Sequence, residues 1–381
     1  MSELRIGIDY RPALISRSGI GRYVANLVRC LPEVDDEVRL ALFSVFWEKH
    51  EERIAHAKLP ESERVRLVAS RFPGRILDFL GKFTPLSVET WADELDVFHY
   101  TDYVHLPVKT QPIVFTLHDL SFLRSNDYHP PGDNKQLAAV THSLVQRAAV
   151  VLAVSETTRQ DAIELLHLPE ERVMVTPLGV DEVFLEVPQV APQSVPTIVS
   201  VGTLEPRKNH PRLLRAFKSL IEKGLEARLV LAGRKGWMCD ETLALLKDET
   251  LANHVVWLGE VSDFALQALV RGATVLAYPS LWEGFGLPVL EGMAAGVCVL
   301  TSDRGSMKEI AGDAAEFVDP ESEESIAQGL DRLLSDEAHR QALIKRGRAR
   351  AAIYTWRACA AATAAAYRRA VELGPPPPAE S

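Results

Sequence analysis

The sequence predicts an α/β protein of two domains, each a parallel sheet with helices on both faces. Three observations carry this. Short apolar runs of strand length alternate with helical stretches, which is the pattern of a parallel sheet. The alternation stops at 185–196 (LEVPQVAPQSVP), which holds three prolines and no periodicity, and restarts at 197. A length of 381 residues also exceeds what one hydrophobic core usually serves. The expected parts are a first domain at 1–184, a linker at 185–196, a second domain at 197–352, a last helix at 353–373 and a Pro-rich tail at 374–381.

In the first half, LRIGI at 4–8 is a strand, and Asp9, Arg11, Gly19 and Gly21 are expected in a loop before a helix. A strand, glycine loop and helix can present backbone donors to a ligand, or can be a tight turn before a helix; spacing leaves both open. Gly19-Ile-Gly21 lacks the third glycine of a dinucleotide fingerprint. RLALFS at 39–44 is a second strand, and 51–63 is charged surface. Residues 70–83 (SRFPGRILDFLGKF) mix Arg71, Arg75 and Lys82 with apolar side chains. Such a segment packs on its own domain or lies on an anionic membrane surface. DVFHY at 96–100 and IVFTLHD at 113–119 read as buried strands ending in polar residues. Ligands of open α/β sheets sit beyond the carboxyl ends of strands, where His118 and Asp119 fall. A helix at 138–149, a strand at 150–154, a helix capped by Ser155 and a strand at 172–176 complete this half.

The second half repeats the pattern, with strands at 198–202, 228–233, 255–258 and 274–278 and helices at 211–222, 322–334 and 338–350. Arg207 and Lys208 fall in the loop after its first strand. Two cations there can neutralise a diphosphate, Arg as a fork and Lys as a point charge, or can be a solvated pair. The stretch 278–301 (YPSLWEGFGLPVLEGMAAGVCVLT) runs from a strand through a glycine loop and a short helix into another strand. Pro288 suits the first helical position and Gly296 the helix end, while Gly284 and Gly286 allow close backbone approach. The orphan N–H groups of such a helix start favour an anion. Glu283 and Glu291 flank it. A carboxylate needs a donor, and sugar hydroxyls are donors, so the stretch points to a sugar joined to a diphosphate. The plainer alternative is that Glu291 complements the helix dipole and Glu283 is solvated.

The bulk numbers set limits on partners. Net charge is −10 and pI about 5.6, which argues against a nucleic-acid partner. The four cysteines, Cys30, Cys239, Cys298 and Cys359, are scattered without zinc-ligand spacing and fit a reducing cytoplasm. The start, MSELR, runs into a strand without a signal-peptide pattern, and no apolar run approaches the ~18 residues of a membrane helix.

The string EGFGLPVLE at 283–291 resembles the E-x7-E signature of the retaining family 4 glycosyltransferases, which have the GT-B fold. That fold is two facing Rossmann-like domains, with a C-terminal helix crossing back to the first. The resemblance implies that Glu283 contacts the transferred sugar and Glu291 the nucleotide ribose. The amides of Phe285, Gly286 and Leu287 would then face sugar and diphosphate. GTLEPRKN, from Gly202 and Thr203 to Asn209, resembles the family's phosphate-binding strand and loop. Many relatives carry Arg directly after the glycine, where this chain has Thr203, so either Arg207 takes over that role or the site holds the diphosphate with fewer direct contacts. Gly259, Glu260 and Val261 fall where the family binds the nucleobase, and the Gly19–Gly21 region where it faces donor phosphate or acceptor. His118, in an HDL-type string, would reach toward the donor sugar and diphosphate; His99, in a DVFH string, is the weaker match.

The resemblance implies retaining transfer of a hexose from a nucleotide-diphosphate sugar, with no metal or other cofactor required. Lys208, Arg207 and the helix start would stabilise the departing nucleoside diphosphate, and the first half would bind the acceptor. The strings GIDYRPALISRSGIGRYVANL, FHYTDY and HDLSFL look most like mannosyltransferases of bacterial surface-polysaccharide assembly. That favours GDP-mannose as donor, with UDP-sugars open, and a glycan or lipid-linked glycan as acceptor. A cytoplasmic protein is expected from the cysteine usage, with 70–83 either packed on its own domain or touching the inner membrane face. The alternatives are a sugar-nucleotide epimerase of the same fold and a catalytically inactive binding subunit. A dehydrogenase lacks its glycine fingerprint here, a serine hydrolase its G-x-S-x-G elbow, and a P-loop kinase its G-x-x-x-x-G-K-[ST] motif.

Overall fold

The structure, a computed structural model, describes residues 3–15, 19–45, 50–55, 59–70, 87–92, 94–103, 106–185 and 195–375. Residues 71–83 of the basic segment and most of the expected linker lie outside them. The chain forms two compact units.

The first unit comprises Met1–Leu120, Lys135–Gly179 and Trp356–Ser381. Its strands are β1 (Leu4–Asp9), β2 (Val38–Val45), β3 (Val65–Ser70), β4 (Val97–Tyr100), β5 (Ile113–Leu117), β6 (Val150–Ala153) and β7 (Val173–Val175). They form one sheet in the order β3-β2-β1-β4-β5-β6-β7, with every pair parallel. Strands covered by helices on both faces read as continuous apolar runs, and β4, β5 and β6 are buried throughout. Edge strand β3 is only half-buried, and Arg66 and Ser70 leave it just three consecutive apolar residues, too short a run to mark it in the sequence. Gly19 and Gly21 open the helix Gly19–Val34 instead of lying in a loop. Tyr23, Val24, Leu27, Val28 and Leu31 supply enough buried face to extend the helix back over both glycines.

The last helix, Trp356–Leu373, belongs to this first unit. Its alanines let it pack closely on the helix Gly19–Val34, and Arg368 fixes it to Asp35 at 2.6 Å and Glu37 at 3.1 Å.

The second unit comprises Ser121–Asn134 and Val180–Thr355. Its strands β8 (Thr197–Val201), β9 (Arg228–Ala232), β10 (Val255–Trp257), β11 (Val275–Tyr278), β12 (Cys298–Ser302) and β13 (Glu316–Val318) are ordered β10-β9-β8-β11-β12-β13 and all parallel. Its core joins Leu213, Leu214 and Phe217 of the helix His210–Glu222 to Leu229, Leu231, Leu330 and Leu333. Each such side chain contributes ~1.5–3 kcal/mol. Ser121–Asn134, which the sequence places within the first domain, packs here because Trp237 captures it. The Trp237 indole N–H donates to the Tyr128 carbonyl at 2.9 Å, and the His129 ring stacks on the indole.

Among the described residues, no helix is long and apolar enough to cross a membrane. All four cysteines are buried and free.

Candidate functional site

In each sheet the strand order reverses beside its first strand, at β1/β4 and at β8/β11. Loops diverge at such a point and leave a crevice at the carboxyl ends. Lys208 follows β8 and Glu283 follows β11, so the second unit puts both on the two sides of its reversal.

The loops after β8 and β11 are knitted together. The Leu281 amide donates to the Arg207 carbonyl at 2.8 Å. Asn209, left-handed at φ 60°, donates through its side-chain amide to the carbonyls of Pro279 and Pro320. Close backbone passage also requires Gly233, where a Cβ would lie 1.8 Å from the Gly202 oxygen. Gly202 itself lies along the alkyl stem of Lys208, which a Cβ there would touch at 3.4 Å.

Four charged side chains meet in this frame. Glu283 Oε2 accepts from Arg207 Nη1 at 2.6 Å. Its Oε1 accepts from Lys208 Nζ at 2.7 Å, from the Tyr278 hydroxyl at 2.8 Å and from Ser280 Oγ at 2.8 Å. Arg207 also donates to the Trp282 carbonyl at 2.9 Å and to Glu205 Oε1 at 2.8 Å. Lys208 Nζ donates a second bond to the Tyr278 hydroxyl at 2.6 Å and lies 5.0 Å from that ring's centroid. Side-chain exposure is 13% for Arg207 and Lys208, 8% for Glu283 and 5% for Glu205. Two cations and two carboxylates therefore form a nearly dry, formally neutral cluster. Burial alone would raise the Glu283 carboxyl, but the Arg207 guanidinium and Lys208 ammonium outweigh it and hold it at about 2. Burial pushes the Tyr278 hydroxyl well above its ordinary value, so it stays a proton donor.

The Glu283 backbone is clamped as well. The Ser306 amide and hydroxyl both donate to its carbonyl, at 3.1 and 3.0 Å. Gly305, at φ +58°, passes so close that a Cβ would sit 2.6 Å from that oxygen. Four residues later the helix Leu287–Ala295 begins, capped by Gly286 at φ +92° and ended by Gly296 at φ +73°. Pro288 sits at its second position, one later than expected, because Leu287 is already helical. Pro288 has no N–H, and the Val289 and Leu290 amides donate to the Gly286 carbonyl at 3.0 and 3.3 Å, so what the helix start offers is chiefly the positive end of its dipole. Phe285, Gly286 and Leu287 are buried, and Glu291 is fully so. Gly259, at φ +69°, follows β10 with the exposed Glu260 and half-buried Val261, and its carbonyl accepts from the Gly233 amide at 2.8 Å. That places them about two strand spacings, roughly 10 Å, along the sheet from β8.

In the first unit, His118 follows β5, and its Nε2 meets the Thr101 carbonyl at 2.8 Å. A carbonyl can only accept, so Nε2 carries the proton and Nδ1 presents a lone pair in the neutral ring. Burial lowers the His118 pKa against the opposing pull of Thr101, Asp102 and Asp119. Neutral His118 can thus accept a hydrogen bond from a hydroxyl at Nδ1. The Thr101 hydroxyl donates to the Asp9 carbonyl at 2.6 Å, tying the loops after β1 and β4. His99 is fully buried between the Tyr367 hydroxyl and Thr116 Oγ1, at 2.8 and 2.7 Å, and joins β4 and β5 to the last helix. Among the described residues, no group of three or more His, Cys, Asp or Glu is placed to hold a metal ion.

Two family models divide the chain: "Glycosyltransferase Family 4" matches residues 17–184 and "Glycosyl transferases group 1" matches 185–350. The O-antigen chain mannosyltransferase B of Escherichia coli is 30% identical over 96% of this chain and 100% of its own length. The chain belongs to glycosyltransferase family 4. The fold of this glycosyltransferase is GT-B. Sucrose-phosphate synthase from Thermosynechococcus elongatus superposes with a TM-score of 0.76, covering 96% of this chain and 98% of that one at 18% identity. Anabaena HepE, solved in complex with UDP and glucose, gives 0.70 over 95% and 98% at 18% identity.

Sequence reasoning about this glycosyltransferase singled out Arg207, Lys208 and Glu283, and the structure brings them together. It missed Glu205, Tyr278, Ser280, Gly305 and Ser306. Only Glu205 left a trace, as an acidic residue between apolar neighbours in the string that carries both cations.

Proposed function

We propose that the protein is a retaining mannosyltransferase. It moves mannose from GDP-mannose to a hydroxyl of a glycan or lipid-linked glycan, in polysaccharide or glycolipid synthesis. The observation that carries the reading is the Lys208 ammonium, held at the β8/β11 reversal by Glu283 and Tyr278 near the start of the helix Leu287–Ala295. That pairs a point charge with a helix N-terminus, both suited to a diphosphate. The name of the Escherichia coli relative, which spans the whole chain, supports mannose as the transferred sugar.

In the proposed reaction the bond between the sugar C1 and the β-phosphate oxygen breaks. An acceptor oxygen bonds to C1 from the same face, and its proton passes to the departing phosphate. Charge building on the β-phosphate oxygens is met by Lys208 and the positive end of the helix Leu287–Ala295, the kind of prepared electrostatics that dominates transition-state stabilisation. Glu291 serves the ribose, Gly202 and Thr203 the phosphate approach, and Gly259, Glu260 and Val261 the base. His118 holds the sugar by accepting a hydrogen bond from one of its hydroxyls, and the helix start at Gly19–Gly21 serves donor phosphate or acceptor.

Thermal stabilisation by a panel of GDP- and UDP-sugars tests this. A donor at about a hundred times its Kd adds ~2.7 kcal/mol. GDP-mannose should raise the melting temperature most, and stabilisation by UDP-sugars alone would sink the mannose assignment. Incubation with donor alone excludes an epimerase if the sugar is unchanged or only slowly hydrolysed.

A further inference from the structure

The sequence reading gives Arg207 and Lys208 the same task, but the structure treats them differently. At least three of the five guanidinium N–H bonds of Arg207 are engaged, by Glu205 Oε1, Glu283 Oε2 and the Trp282 carbonyl. A planar fork held at three points by buried acceptors has lost the freedom to turn toward a ligand. Its charge is also neutralised twice, by carboxylates 5% and 8% exposed. Lys208 meets one carboxylate and one neutral hydroxyl, and an ammonium carries three N–H bonds.

We propose that Glu205 is a positioning residue that holds the Arg207 guanidinium against Glu283, so that Lys208 alone of the two cations meets the diphosphate. This rests on the glycosyl-transfer reading. Arg207 then works as a strut between two loops: its backbone carbonyl takes the Leu281 amide and its side chain takes Trp282 and Glu283. Glu205 fixes the far side of that strut from the same short turn, Pro206–Lys208, that presents Lys208. Oε2 of Glu283 stays on Arg207 and Oε1 on Lys208, Tyr278 and Ser280, which sets the ammonium in place before any ligand arrives. Thr203, where many relatives carry an Arg, therefore has no substitute among these two cations.

The test is calorimetric titration of the full chain and its variants with GDP and with UDP, beside initial rates with the donor that the panel selects. Lys208→Ala should weaken nucleoside-diphosphate binding by about tenfold or more. Arg207→Ala should change it by less than about threefold while kcat falls by at least about tenfold, because Glu283 loses its alignment. Glu205→Gln unmasks the guanidinium and should tighten diphosphate binding by roughly three- to tenfold while lowering kcat. A merely structural defect would weaken both. Arg207→Lys keeps the charge but cannot span three acceptors, and should lower kcat with binding unchanged; it serves if Arg207→Ala does not fold. The acid limb of the rate profile should move up in Arg207→Ala, since the Glu283 carboxyl has lost one of the two cations that hold it at about 2. Arg207→Ala losing as much diphosphate affinity as Lys208→Ala, or Glu205→Gln weakening binding, overturns the positioning role alone. A wild type that binds neither GDP nor UDP removes the glycosyl-transfer reading, and this proposal with it.

Discussion

Glu283→Gln strikes the centre of the buried cluster. The substitution is nearly isosteric but turns a formally neutral group of two cations and two carboxylates into one with a net charge of +1. It also replaces one accepting oxygen by an NH2 group, whose N–H groups find no acceptor on a cation. Arg207 and Lys208 hold the Glu283 carboxyl at about 2, against 4.5 ordinarily, a difference of about 2.5. At 1.36 kcal/mol per unit this amounts to about 3 kcal/mol of stability. Breaking buried ion pairs independently costs about 3–5 kcal/mol. The folded pKa is depressed, so the contribution is complete above pH 4.5 and is lost as pH falls toward 2. Hydrogen exchange of the β8 and β11 core amides reads opening of the second unit. At pH 7 the variant should open about 3 kcal/mol more easily than the wild type, and the gap should shrink steadily below pH 4.5. Saturating diphosphate should narrow it at pH 7 by supplying the missing negative charge. A gap under ~0.5 kcal/mol at pH 7, or one that ignores pH, would refute the argument that this carboxylate is charged and paired in the fold.

Three further outcomes are expected. Lys208→Ala should cut turnover by ~10²–10³ at saturating donor, since one prepared donor to the developing phosphate charge is removed; near-normal kcat takes Lys208 out of the site. Gly305→Ala forces a side chain into a left-handed position, with its Cβ 2.6 Å from the Glu283 carbonyl oxygen. It should destabilise the second unit by ~1–3 kcal/mol in the same exchange assay and lower kcat, whereas wild-type values for both would remove the backbone clamp. His99 is buried neutral, held by burial and then by neighbouring His118 at about 3 instead of 6.5. The unfolded chain therefore binds the extra proton, and the first unit should lose ~1.4 kcal/mol per pH unit as pH falls below 6.5. Exchange of β4 and β5 amides between pH 7 and 5 checks this, and a flat response would mean that His99 charges within the fold.

Much of the fold can be read along the chain because parallel strands covered on both faces must be apolar throughout. β5 (IVFTL) and β11 (VLAY) announce themselves for that reason. β3 and β13 do not: one is a half-buried edge strand and the other only three residues long, so neither makes a long apolar run. Gly19 and Gly21 misled because glycine reads as loop until the buried face of Tyr23, Val24 and Leu27 extends the helix over it. At the site, Arg207, Lys208 and Glu283 stood out because charge beside a strand end is visible in one dimension. Tyr278, Ser280 and Gly305 carry no charge and so leave no such mark beside a strand end.

By itself the sequence determined the two-sheet class, the family, and which charged residues stand at strand ends, since periodicity and local motifs are properties of neighbours in the chain. Only the tertiary structure decided that Glu205 and Glu283 share Arg207 and that Ser121–Asn134 packs within the second unit. These depend on groups far apart in sequence arriving within hydrogen-bond distance, and a buried charge takes its partner from the space around it.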